Sequence, residues 1–427
     1  MNKKYISQNI QEIIDDLNSK NFEKVIKKIE LLSEKKTDVN FEFWKEQIEI
    51  YEKSFLKKID KFKLFINIGV IFFKLGKITD SIKFYKFSIQ DNPNFSLAYN
   101  NLGISYLEIG MFEKAAENFE IAFKLNTNDI SAQKHLINIL NLVIPNDNKH
   151  EGIIKLNYKI NTLIKNLKIK NYFDTKNIKK ILNLSNNLID NFENDLVFNE
   201  TQIFRKNSTN LNCLRHFKVF NEFNIIPEFC FSCYKIQINL ETVVDLIKLF
   251  LIFDKVELEK NNTRKCIIET RNKIEGNYKG YIYCRKQSEA ESIKNIILQI
   301  MKEEQIVANK ITLKHGCSEF YESYPKFEKI NINNNEEFKY NNTWEAFEKV
   351  IDSREPKRIE SDKKIWSQSV KGINLSDILI INNWISYAQI IGDESYKKIY
   401  DRKLNNIFIE KLLEDQLEFR NQSLTLN

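Results

Sequence analysis

Apolar, small and glycine positions recur in one order between residues 62 and 129, where one segment matches the next after a shift of 34 residues. In each segment a glycine, Gly76 or Gly110, falls just past an apolar helical stretch, where a left-handed backbone can end a helix. Another glycine, Gly69 or Gly103, lies mid-helix, where the missing side chain lets a paired helix approach closely. The pattern predicts stacked helix hairpins.

The pattern changes along the rest of the chain. Residues 146–200 are polar and rich in Lys and Asn, with intermittent apolar positions that indicate a helical connector. Between about residue 201 and residue 325 the period shifts toward the alternation that is typical of strands. The predicted strands are Cys233–Leu240, Thr263–Arg271, Tyr278–Arg285 and Asn309–Phe320, and the predicted helices between them are Glu241–Lys255 and Ser288–Lys302.

This β-α-β-β-α-β order matches the split βαβ arrangement of ferredoxin-like domains, which places both helices on one face of an antiparallel sheet. We therefore expect an α+β multidomain fold with an N-terminal α-solenoid, a ferredoxin-like middle domain and a helical C-terminal section. The predicted boundaries are 1–145 for the helical repeats, 146–200 for the connector, 201–330 for the cysteine-rich α+β domain and 331–427 for the C-terminal section.

The repeated positions resemble a known family. In the second segment they hold Tyr99, Leu102, Gly103, Tyr106, Gly110, Phe112, Ala115, Phe119 and Ala122. In the first segment they hold Phe65, Ile68, Gly69, Phe72, Gly76, Ile78, Ser81, Tyr85 and Ser88. This pattern resembles the tetratricopeptide repeat, whose period is 34 residues. Because stacking needs about three repeats, we expect a weaker hairpin at residues 5–36 and a further helix at Asp129–Val143.

The resemblance implies a groove that holds another protein. In the family, the groove-lining positions on the first helix of each copy correspond here to Ile66, Val70, Phe73, Asn100, Ile104 and Leu107. Val70 and Ile104 depart from the Lys, Asn and Arg pattern that clamps a C-terminal carboxylate. The implied guest is an apolar or amphipathic segment, either from a protein partner or from the connector of this chain. The leading predicted function is therefore protein–protein interaction as a scaffold.

Composition narrows the class of protein. The net charge of +7 is a weak indication of acidic partners, because the chain is rich in lysine throughout. No glycine-rich loop resembles a phosphate cradle or a dinucleotide fingerprint, which argues against a nucleotide-dependent enzyme. The N-terminus lacks an apolar secretory stretch, and the longest apolar run, Val243–Val256, is too short to span a bilayer. We expect a cytoplasmic protein without a membrane partner.

Cysteine and histidine spacing gives the sharpest local signal. Cys213 and His216 form a C-x-x-H pair, and Cys230 and Cys233 form a C-x-x-C pair. Two such pairs separated by a short loop suit a structural tetrahedral Zn²⁺ site. The alternative is that Cys230 and Cys233 are small buried apolar residues among aromatic neighbours. A redox pair and structural disulfides are both disfavoured.

Two further functions remain open. Lys279, Tyr281, Tyr283 and Arg285 would project from the sheet face opposite the helices, as in proteins that stack RNA bases on aromatic rings. The run Lys279–Tyr283 resembles the third strand of the RNA-recognition motif, although Ile282 and Cys284 depart from it. The alternative is a solvated or packed sheet face.

The third possible function is catalysis, in which one residue acts as a nucleophile and a second as its base. His315 and Cys317 lie two residues apart on the last predicted strand and therefore on one face. Neighbours in a single strand rarely reach hydrogen-bonding distance in the correct orientation. The alternative is a partly buried histidine beside a core thiol.

Overall fold

The structure of the protein is a computed structural model. It contains two compact units, and the chain passes from the first to the second between Leu136 and Ile137. The described residues are 12, 13, 16, 24 and 61–414, apart from 75, 146–150, 206–210, 212, 272–273, 329, 331–337, 355–368 and 405. The weaker hairpin predicted at residues 5–36 lies outside them except for those four positions, which are helical.

The first unit is built from helix pairs. Its helices are α1 (Lys61–Lys74), α2 (Ile78–Asp91), α3 (Ser96–Glu108), α4 (Phe112–Leu125) and the start of α5 (Ile130–Ile139). Helix α1 packs against α2, α3 packs against α4, and α2 joins the two pairs by packing against α3. At this junction the hydroxyls of Ser81 and Ser105 lie 3.2 Å apart and both side chains are buried. The prediction of packed helix hairpins is confirmed.

The mid-helix glycines make the same contact in both pairs. A Cβ atom added to Gly69 would lie 2.5 Å from Cε1 of Tyr85, and one added to Gly103 would lie 2.6 Å from Cε1 of Phe119. The turn glycines also agree, since Gly76 has a φ angle of 73° and Gly110 one of 75°. These values lie in the left-handed region that glycine adopts without steric cost. The repetition in sequence is therefore a repetition of structure.

The second unit combines helices with one antiparallel sheet. Its helices are α6 (Ile153–Asn166), α7 (Thr175–Asp190), α8 (Cys213–Phe223), α9 (Glu228–Phe231), α10 (Val243–Lys255), α11 (Gln287–Glu303), α12 (Pro325–Glu328), α13 (Glu345–Arg354) and α14 (Leu375–Ile391). Its strands are β1 (Gln202–Arg205), β2 (Tyr234–Leu240), β3 (Arg264–Ile268), β4 (Tyr278–Cys284) and β5 (Ala308–His315). The strand order is β1-β3-β4-β2-β5, and each neighbouring pair is antiparallel.

Helix α10 covers one face of this sheet. A Cβ atom on Gly280 would lie 2.3 Å from Cδ2 of Leu249, so the glycine lets strand β4 and helix α10 meet. The register places Ile236, Ile282 and Cys266 on this same buried side, because strand side chains alternate between faces. Apolar, often β-branched residues at every second position of the strands face the apolar helix α10, and this pattern accounts for the packing of α10 on the sheet.

The sheet differs most from the prediction at strands β1 and β5, and β3 ends at Ile268 rather than at the predicted Arg271. Strand β1 was not expected, because its four residues are too few for a periodic signal. Strand β5 ends at His315, so the prediction that it continues to Phe320 is wrong. The N–H group of Gly316 still donates to the carbonyl of Cys233 at 2.8 Å, and Ser318–Phe320 then form a 3₁₀ turn. Cys317 therefore follows the strand.

Helix α14 is buried against the rest of the second unit. The indole Nε1–H group of Trp384 on α14 donates a hydrogen bond to the carbonyl of Thr201 at 2.8 Å. Asn382 on α14 and Asn186 on α7 exchange side-chain hydrogen bonds. Gly392 ends the helix with a φ angle of 79°. Its N-cap is Asn374, which forms a capping box with Asp377. Helices of the predicted connector and C-terminal section thus contact each other directly.

Candidate functional site

The predicted groove residues differ in how much of each side chain is accessible. Val70 and Phe73 on α1, and the residues 34 positions later, Ile104 and Leu107 on α3, are partly exposed. These four apolar side chains occupy equivalent positions in the two hairpins, and we call them the apolar row. Partly exposed apolar side chains in a repeated position can bind an apolar segment. Ile66 is buried, with an exposed fraction of 4%.

Asn100 is held inside the first unit. Its side chain is 5% exposed, and its Oδ1 atom accepts a hydrogen bond from Nδ1 of His135 at 3.0 Å. The imidazole ring of His135 also lies 5.1 Å from the ring of Phe119. Burial lowers the pKa of His135 below 6.5, and Asp129 partly opposes this effect. His135 lies one period of 34 residues after Asn101, and this spacing is the one signal for His135 in the residue pattern.

The four predicted zinc ligands do not all meet. Cys213 is the first residue of α8, and Cys230 and Cys233 are joined by a turn in which the N–H group of Cys233 donates to the carbonyl of Cys230 at 3.2 Å. Burial raises the pKa of Cys233 to about 11. Among the described side chains, no three His, Cys, Asp or Glu residues are arranged as a ready-made metal site. The zinc site stays a prediction.

His216 lies in an aromatic and basic environment. Its ring packs on Phe229, with ring centroids 4.8 Å apart, and its side chain is buried. Burial lowers the pKa of His216 to about 4, and the positive charges of Arg215 and Arg285 act in the same direction. The imidazole is therefore neutral at physiological pH and serves as a packed aromatic group.

Cys317 takes a position that the sequence pattern did not predict. Its thiol is within hydrogen-bonding reach of the thiols of both Cys213 and Cys230. The hydrogen bond with Cys317, together with burial, raises the pKa of Cys213. Cys317 was singled out in the sequence only as a partner of His315, because a residue 84 positions beyond Cys233 gives no spacing signal.

The proposed Cys317–His315 pair makes other contacts. The ring of His315 is stacked between Tyr234, at a centroid distance of 5.0 Å, and Phe327, at 4.3 Å. Burial lowers its pKa to about 4. Since the Cys317 thiol is directed at Cys213 and Cys230, the described contacts do not pair a nucleophile with a base.

The face of the sheet opposite α10 carries the residues considered for RNA. Lys279 is buried, and its Nζ atom lies 3.3 Å from Oε2 of Glu269. The ring of Tyr281, which is 5% exposed, has Nζ of Lys265 at 5.2 Å and Nζ of Lys235 at 5.5 Å from its centroid. The ring of Tyr281 therefore already contacts the ammonium groups of two lysines.

The other two residues of this group are partly buried. Tyr283 has a pKa raised well above its usual value because the hydroxyl is buried. The guanidinium group of Arg285 lies 3.6 Å from the ring centroid of Phe229, and its Nη2 atom donates to Oγ of Ser232 at 3.2 Å. Their positions do not favour base stacking over internal packing.

In a comparison with known proteins, a short stretch of the chain is similar to one other protein. No protein-family model matches the chain. A stretch of 71 residues is 32% identical to a protein from Pyropia yezoensis named "Uncharacterized protein ycf37", covering 17% of this chain and 40% of that protein. The chain thus spans about two fifths of the length of this curated relative. Among the described helices, none is both long and apolar enough to cross a bilayer. The chain is a protein with packed helix pairs and a five-stranded sheet, similar over a short stretch to the ycf37 protein.

Proposed function

We propose that the helix pairs of residues 61–139 are tetratricopeptide-type repeats, and that they bind an apolar or amphipathic segment of another protein. The observation that supports this most directly is the apolar row, in which Val70 and Phe73 recur one period later as Ile104 and Leu107. The short similarity to the ycf37 protein is compatible with a scaffold of this kind.

The chemistry of the apolar row sets the class of guest. Four partly exposed apolar side chains gain binding free energy by removing apolar area from water, about 25 cal/mol for each Å² buried. A carboxylate clamp would need cationic or amide side chains at these positions. Asn100, the one amide among the groove residues, is already paired with His135. An amphipathic helix that presents one apolar face is therefore the best guest.

We also propose that strands β2–β5, with helices α10 and α11, form a ferredoxin-like unit that supports the rest of the second unit. The order β3-β4-β2-β5 of the four strands and the packing of α10 on one face of the sheet support this proposal.

Site-specific photocrosslinking tests the proposed binding surface. A photoreactive amino acid is placed at Leu107 in the full-length protein, and partners are captured from cells of the source organism. We expect a crosslinked protein partner from this position, and we expect Ile104→Glu to remove it. The charged side chain would oppose an apolar guest by requiring desolvation of the carboxylate.

Ile121 supplies the matched control. It lies on α4, the second helix of the same hairpin, and is 40% exposed. The same photoreactive amino acid at this position should give a different crosslinking pattern, and Ile121→Glu should leave the Leu107 crosslink intact. Equal crosslinking at both positions, or insensitivity to Ile104→Glu, would contradict the proposed surface.

A further inference from the structure

Four thiols from three distant segments of the second unit lie close together. Cys213 and Cys317 are in side-chain hydrogen-bonding contact, and Cys317 makes a second such contact with Cys230. Cys230 and Cys317 also belong to one buried cluster with Phe320 and Phe327. A set of cysteine side chains of this kind is unusual in a chain with only 6 cysteines in 427 residues.

A backbone hydrogen bond places Cys233 next to the segment that carries Cys317. The N–H group of Gly316 donates to the carbonyl of Cys233 at 2.8 Å, and a Cβ atom on Gly316 would lie 2.5 Å from Sγ of Cys233. Any larger residue at position 316 would collide with this sulfur. The glycine thus allows the thiol of Cys233 to lie directly beside the segment that carries Cys317.

Two lysines lie within electrostatic range of these thiols. Lys265 interacts with Cys213. Lys235 is 7% exposed and is attracted electrostatically to Cys317. Two lysines next to a thiol cluster would offset part of the negative charge that four thiolates carry around a divalent cation.

We propose that Cys213, Cys230, Cys233 and Cys317 bind one Zn²⁺ ion as a closed structural site. Four thiolates suit the borderline-soft metal and leave no open coordination position for catalysis. On binding, four S–H protons pass to the solvent, and four Zn–S bonds replace the thiol–thiol contacts. The described side chains are not a ready-made metal site, so the thiols must shift from their mutual contacts to reach the metal. Cys317 replaces His216 as the fourth ligand of the predicted set.

Such a site would connect three elements that the sequence separates. Cys213 begins α8, the Cys230–Cys233 turn leads into β2, and Cys317 follows β5. A metal bond among them would fix α8 against the end of the sheet where β2 and β5 pair. The free energy of zinc binding would then contribute to the folding of the second unit.

Cobalt titration of the full-length protein, purified under reducing conditions, tests the ligand set. We expect one Co²⁺ per chain, with thiolate-to-cobalt charge-transfer absorption and tetrahedral d–d bands that Zn²⁺ abolishes. Cys317→Ser should weaken cobalt binding by more than about 100-fold, since loss of even an outer-shell partner costs about 10- to 100-fold. His216→Ala and Cys266→Ala should retain the cobalt spectrum.

Alkylation of the unmodified sequence gives a second measurement that does not depend on variant folding. With zinc bound, Cys213, Cys230, Cys233 and Cys317 should resist alkylation, and a chelator should expose these four first. Cys266 and Cys284, both buried in the sheet, should respond equally with and without metal. No metal uptake by the intact protein, or loss of the cobalt spectrum in His216→Ala with retention in Cys317→Ser, would overturn the proposal.

Discussion

At the scale of single residues, the close approach of Gly103 to Phe119 sets the spacing of the second hairpin. An added methyl group would lie 2.6 Å from a ring carbon, a distance that requires the ring or the helix to move. Because the ring is fully buried, it has little room to do so. The same argument applies to Gly69 and Tyr85 in the first hairpin.

Gly103→Ala is expected to destabilise the first unit. Overpacking of a buried site costs about 1–3 kcal/mol in the free energy of unfolding, and Ala regains about 1 kcal/mol of helix propensity, so we expect a net loss of up to about 2 kcal/mol. Urea denaturation of the full-length protein followed by circular dichroism measures the change. Phe119→Leu provides the partner for a double-mutant cycle, and the cost of Gly103→Ala should be smaller in that background. Additive effects would contradict the described contact.

His135 is expected to titrate below its ordinary value. Burial lowers its folded-state pKa below 6.5, so the unfolded chain binds the proton more readily than the folded one. The stability that the neutral imidazole contributes is complete above pH 6.5 and is lost as the pH falls through the folded-state pKa. The chain has 4 histidines, so His135→Gln identifies the His135 signal in a proton NMR titration. A midpoint at or above 6.5 would show that the ring is not buried as described.

At the scale of elements, strand β1 is connected to helices α10 and α14 by one arginine. Nε of Arg205 donates to Oδ1 of Asp254 at 2.8 Å, and Nη2 donates to Oδ2 of Asp377 at 2.5 Å. The arginine is 1% exposed, and its guanidinium group also lies 4.7 Å from the ring centroid of Phe250. The capping box of α14 uses the same Asp377, so the edge strand and the helix start share one charge network.

Arg205→Met is expected to destabilise the second unit strongly. Removing one partner of a buried ion pair costs about 3–5 kcal/mol, because the remaining carboxylates lose their counter-charge without regaining water. Arg402→Met is the matched control. Arg402 pairs with Asp190 at the surface, where both side chains are 57% exposed, and such pairs contribute about 0–1 kcal/mol. Thermal unfolding that shifts equally in both variants would contradict this difference.

At the scale of the whole molecule, the predictable features are those that local residue patterns specify. The hairpins follow from glycines and small residues at fixed spacing, and the element order of the sheet follows from alternating strands and amphipathic helices. Strand β1 carries too few residues to produce such a pattern. The start of α14 also lacks a unique local signal, because Asn374, Ser376 and Asp377 are all residue types that can serve as an N-cap.

The cysteine cluster shows where sequence spacing becomes insufficient. C-x-x-H and C-x-x-C pairs are recognised because their members are close in sequence. The segment of Cys317 comes beside Cys233 through the pairing of β2 with β5, which brings together residues far apart in the chain. His216 faces Phe229 because α8 turns the residue three positions after Cys213 toward that ring. Long-range pairing of this kind has no local signature.

The strand order has a consequence for association between copies of the chain. Strands β1 and β5 form the two edges of the sheet, where unpaired backbone groups could accept a strand from another molecule. The first edge offers only four residues, and the second carries Lys310, which is exposed, and Lys314. A short strand gives an incoming chain few hydrogen bonds, and lysines repel a second copy of themselves. The same edges that end the sheet therefore protect the protein against aggregation by strand addition.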